Sequence, residues 1–233
     1  MASNIDRVAG WAGVGAGIAL VAETASFLAS GWTAEKMSDP RAAMDLLVHG
    51  GGWLRFSAIF GSSGIALTAL LLAGLYFRLR TTSPRLSLAM LFWGMIGLAS
   101  HVLIPLGLWL AIPGFVAWGG HDAQAAGNAW MAFWNVCNAA QGVGSTFGGA
   151  AMLLAGIAIL GGTRRARPFA ILAVLAGALA LATVVIVGTP LQGLLGAIYL
   201  PMIALTILFR AWGGIYLLGG EHDVLPARDE VPA

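Results

Sequence analysis

Charge is scarce in this sequence. Only 9% of its 233 residues are Asp, Glu, Lys or Arg, where a soluble domain carries about a quarter, so there are too few charges to coat a water-facing surface. Cysteine is scarcer still. Cys137 stands alone, which excludes an intramolecular disulfide and a cysteine-based metal cluster. No Gly-rich phosphate loop, Ser-His-Asp order, zinc-protease His-Glu motif or pair of catalytic carboxylates occurs, which counts against an enzyme. The basic excess is slight as well. A pI near 9.1 accompanies a net charge of only +2, and the arginines flank apolar runs instead of forming a stripe, so topology accounts for them and nucleic acid is not an expected partner.

Hydrophobic sequence is what the chain has in excess: 59% of residues, with mean hydropathy +0.86. Six runs reach the roughly 20 residues that a helix needs to cross about 30 Å of hydrocarbon. They extend over 9–30, 53–77, 86–112, 130–160, 168–187 and 191–218. Strands of a membrane barrel would alternate over about 10 residues, whereas these runs are continuous and rich in Ala, Leu and Gly. The expected class is all-α, a polytopic six-transmembrane-helix bundle forming one domain over 1–233. The first run exceeds the roughly 7 to 15 residues of a signal core, so it reads as the first span.

Lys and Arg in the short loops set the expected orientation, because positive flanks stay in the cytoplasm. One face holds Arg7, Arg78, Arg80, Arg85, Arg164, Arg165, Arg167 and Arg228, the other Lys36 and Arg41 with Arg55 just inside the second span. Both termini are therefore expected inside, in a bacterial inner membrane. The loops 31–52, 113–128 and 188–190 are expected outside. In the first of these, 34–48 has the mixed character of a short surface helix, ended by His49, Gly50, Gly51 and Gly52. Trp32, Trp53, Trp109, Trp118 and Trp130 read as outer interface anchors, with Trp11, Tyr76 and Tyr216 at the inner boundary. Among 33 glycines, the spacings Gly13/Gly17, Gly144/Gly148 and Ala173/Gly177 suit close intramolecular helix packing, with a homo-oligomer as the alternative. Pro201 and the Gly142 to Gly149 stretch are expected to bend their spans.

Ionisable groups inside hydrocarbon are costly and mark candidate sites. Glu23 and His101 fall in the outer half of the first and third spans, and Arg55 at the outer end of the second. Asn135, Asn138, Gln141 and Ser145 follow at spacings of 3, 3 and 4, a polar stripe that ought to turn inward, away from lipid. Glu23, Arg55, His101, Asn135, Asn138 and Gln141 are thus the expected lining of an outward-opening polar pocket for a small ligand, unless Glu23 and Arg55 are simply an ion pair. Histidine pairs in helical bundles hold haem, and His49 with His101 is the pair to test; Glu23, His101 and His121 are the corresponding candidates for a metal. Beside ligand or partner-subunit binding stand a redox subunit holding haem or quinone, and a small-solute or proton-coupled transporter. The bilayer is the one partner required.

Asp39-Pro40 after the first span, Leu54-Arg55-Phe56 opening a span that closes in Tyr76-Phe77-Arg78-Leu79-Arg80, and Thr163-Arg164-Arg165-Ala166-Arg167-Pro168 before the fifth form a pattern over most of the chain. It resembles a large family of bacterial six-helix membrane proteins known only as a domain of unknown function. The resemblance implies the six-helix fold and carries no catalytic residues.

Overall fold

The computed structural model describes residues 3–33, 35–162, 166–186 and 195–219. They are all-α: α1 Asn4–Ala29, α2 Pro40–Leu79, α3 Pro84–Gly119, α4 Ala123–Leu160, α5 Arg167–Ile186 and α6 Leu195–Leu218, with one 3-10 turn at Lys36–Ser38. All six helices are long and apolar enough to cross a membrane.

Helix starts follow local chemistry. Ser3 and Asp6 exchange hydrogen bonds at α1, the Asp6 amide donating to Ser3 Oγ and the Ser3 amide to Asp6 Oδ2, a reciprocal cap for free amides. Asp39 accepts the Arg41 amide and Asp122 the Ala125 amide at the starts of α2 and α4. Pro40 and Pro84 occupy first helical positions, where a missing N–H costs nothing. α1 ends at Gly31, whose φ of 73° is left-handed, a conformation without penalty for glycine.

α2, α3 and α4 contain 40, 36 and 38 residues, so at ~1.5 Å per residue each is roughly 54–60 Å long against about 30 Å of hydrocarbon. Each is therefore longer than a single crossing requires. This corrects three expectations. The segment 34–48 is no separate surface helix: from Pro40 it is the start of α2, which runs unbroken through His49, Gly50, Gly51 and Gly52. Likewise α3 continues past Pro105 and Pro113 to Gly119, and the 113–128 loop shrinks to a turn at 120–122. Packing explains the glycines, because a Cβ on Gly50 would overlap the Ser30 carbonyl and one on Gly51 would stand 3.1 Å from Ile112. Close approach keeps them in a helix that their propensity alone would end. α4 also runs unbroken through Gly142 to Gly149, and Pro201 lies within α6. The loop 188–190, Arg164, Arg165 and the tail from 220 lie outside the described residues.

Contacts divide the chain into two compact units. Unit 1 comprises Met1–Gly17, Leu67–Gly97 and Ser145–Ala233, and unit 2 Ile18–Ala66 and Leu98–Gly144. α1 to α4 contribute to both.

Unit 1 is glued by small residues. Gly13 lies against the Gly214 backbone and Gly17 against Ala211, so α1 and α6 approach closely. On the other side, Gly177 meets Gly149 and Leu153, and Gly156 meets Ala170 and Val174, joining α4 to α5. Gly13/Gly17 and Ala173/Gly177 thus serve intramolecular packing. Gly148 does not, since a Cβ there would meet nothing within 4 Å. Leu71, Leu75, Met90, Phe169, Phe209 and Leu217 are fully buried in this core. Asp6 approaches Arg78 at 4.0 Å, beside the Tyr216 ring.

Unit 2 is built on aromatic rings. Phe27 stacks on Trp134 at 6.1 Å, Trp32 lies 5.9 Å from Trp134, and Trp130 meets Phe115 and Phe133 at 5.5 Å. Trp130 is fully buried, which corrects its reading as an interface anchor: α4 begins seven residues earlier than its apolar run, so Trp130 faces a core and not a boundary. Trp53, Trp109 and Trp118 remain 40–50% exposed.

Candidate functional site

Within unit 2 the half-buried ionisable groups fall at two heights. At the deeper one, the Glu23 carboxylate of α1 lies over Gly61 of α2, so that a Cβ on that glycine would stand 2.8 Å from Oε1. His101 of α3 covers Gly144 of α4 in the same manner. A Cβ there would be 2.8 Å from Cγ, Cδ2 and Cε1 alike, so the glycine sits under the ring face. Each bulky polar side chain thus has a glycine opposite, which removes the Cβ that would fill its place. Gln141, half-buried, is one turn from Gly144 on α4. Glu23 is one turn from Phe27, whose ring stacks on Trp134 of α4, so that face of α1 looks toward the helix bearing Gln141. Glu23, His101 and Gln141 are all engaged in polar or ring interactions.

The shallower height holds Arg55. Its guanidinium carbon stands 4.0 Å over the Trp109 ring centroid, a cation–π contact between α2 and α3. Gly61 is six residues farther along α2 and His101 eight back along α3, so the two heights differ by about 9–12 Å. At 100° per residue Arg55 and Gly61 also stand about 120° apart around α2. Arg55 therefore points away from Glu23, and its charge rests on Trp109 instead of forming the ion pair with Glu23.

The polar stripe of α4 divides. Asn135 and Asn138 are exposed, whereas Gln141 and Ser145 are half-buried. The inward orientation expected of the whole stripe is corrected for the first two. Trp134 and Cys137 occupy the inward positions beside them, and the aromatic core leaves the amides outside.

Neither histidine set gathers. His49 is exposed and bonded within its own helix, Nδ1 lying 3.0 Å from Asp45 Oδ1. Two residues on, Gly51 packs beside Ile112, which is eleven residues, or about 16 Å, along α3 from His101. The two rings cannot share an iron. His121 lies in the exposed turn after α3, and among the described residues no cluster of three or more His, Cys, Asp or Glu side chains forms.

Sequence reasoning missed the glycine seats, which pair residues dozens of positions apart, and the aromatic cluster. Trp32, Trp130 and Trp134 bury their indole N–H groups without an acceptor among the described residues; the spacing of 4 between Trp130 and Trp134 on α4 was an available signal. No family model, curated protein or solved structure matches the chain.

Proposed function

We propose that this multi-pass membrane protein is non-catalytic and binds a small ligand at the deeper polar layer of unit 2, through Glu23, His101 and Gln141. The carrying observation is the pair of glycine seats. Glycine in a helix costs about 1 kcal/mol relative to alanine, and a carboxylate or imidazole in an apolar layer costs more. Two such seats around one layer favour a placed pair of polar groups over incidental burial. A ligand with a donor group toward the carboxylate and an acceptor toward the Gln141 amide fits the chemistry. Asn135, Asn138 and Arg55 are not part of this layer.

The reading includes the bacterial inner membrane and cytoplasmic termini. Arg7, Arg78, Arg80, Arg85 and Arg167 all lie at or beside helix ends, where positive flanks hold an end inside.

Mass spectrometry of the mildly solubilised protein tests the proposal. A compound released from wild type and missing from folded Glu23→Gln is expected; the same small molecules from both would sink it.

A further inference from the structure

Among the described residues, Arg55 is a cation without an anion. Its Nε is buried with no hydrogen-bond partner, and among the described residues no carboxylate pairs with it. A buried guanidinium donor left unmade is unfavourable, and the Trp109 face opposite supplies charge attraction but no acceptor.

Beside this group lies a half-open cleft of about 160 Å³, lined by Gly52, Arg55, Phe56, Ile59 and Trp109. Gly52 leaves its end open, since a Cβ there would meet nothing within 4 Å. Phe56, Ile59 and Trp109 are 54%, 43% and 40% exposed, so the rest of the cleft is an accessible apolar wall. By liquid volume the space equals about five waters, which suits a headgroup and not a whole lipid.

Height selects the ligand. With the Arg78–Arg80 end of α2 taken as one edge of the hydrocarbon, Arg55, 24 residues from Leu79, stands about 36 Å along the helix and so just beyond about 30 Å of hydrocarbon. Ile59, one turn nearer, falls at the hydrocarbon edge. A cation at headgroup depth above an apolar wall at acyl depth matches one amphiphile.

We infer that the Arg55–Trp109 cleft binds the phosphate of an anionic phospholipid, whose glycerol end enters beside Gly52 and whose acyl chain follows Phe56 and Ile59. Guanidinium and phosphate form paired, charge-assisted hydrogen bonds, and the Trp109 face holds the fork in place. This site is independent of the Glu23 layer.

The test uses the full chain in nanodiscs of phosphatidylcholine, titrated with phosphatidylglycerol and read by native mass spectrometry. Wild type should retain phosphatidylglycerol preferentially. Arg55→Gln and Gly52→Leu, the second filling the cleft with the charge intact, should each weaken retention about tenfold while helical circular dichroism is unchanged. Wild-type retention in Arg55→Gln would overturn the site. Loss in Arg55→Gln with full retention in Gly52→Leu would also overturn it, by showing surface attraction without a cleft. Displacement by millimolar inorganic phosphate would overturn the lipid as ligand.

Discussion

The imidazole of His101 lies face-on over Gly144, with three ring atoms each 2.8 Å from where a Cβ would stand. Gly144→Ala should therefore displace the ring and cost about 1–3 kcal/mol, as overpacking does. Gly148→Ala, four residues on and open, should be neutral or stabilise by up to about 1 kcal/mol through helix propensity. Thermal unfolding in detergent measures both, and equal effects would show that the ring does not rest there.

Glu23 and Gly61 form the second seat, and a double-mutant cycle isolates it. Gly61→Ala alone pushes on Oε1, which offsets the helix propensity that alanine gains, and in a Glu23→Ala background the same change should stabilise more. A coupling of about 0.5–3 kcal/mol is expected for groups in contact. Strict additivity would separate them.

The three glycines of α2 should behave differently despite being consecutive. Gly50→Ala meets backbone at Ser30, which cannot turn aside, and should destabilise strongly. Gly52→Ala has open space and should stabilise the helix by up to about 1 kcal/mol. Were 50–52 a helix-ending loop, neither pattern would appear in unfolding experiments.

Trp130→Ala removes a fully buried ring from the unit 2 core and should cost about 3–5 kcal/mol. Trp53→Ala, at an exposed anchor, should cost well under half of that in denaturant unfolding. Comparable losses would contradict the burial of Trp130.

The proposed orientation predicts opposite labelling. With Cys137 replaced by Ala, a cysteine at Thr81 should react with a membrane-impermeant reagent only in inverted vesicles, and one at His121 only in intact cells. The reverse result would invert the topology.

The six helices and their membrane class were legible in sequence because hydropathy is a local sum: each apolar run of about 20 residues declares itself without knowledge of its neighbours. Helix length was not legible. Whether Gly50 and Gly51 end a helix or let it pass Ser30 and Ile112 depends on atoms far away in the chain, and so does the continuation of α3 through Pro113. Direction around a helix shared that fate: the spacing of Asn135, Asn138 and Gln141 marks a stripe, but which edge turns inward was decided by Trp130, Trp134 and their aromatic neighbours. Sequence alone determined that this is a six-helix membrane chain with a few polar groups placed at one end of its spans. Tertiary structure decided what each of those groups meets, seating Glu23 and His101 on glycines and leaving Arg55 on Trp109, because close packing selects partners by shape across helices that the linear order keeps apart.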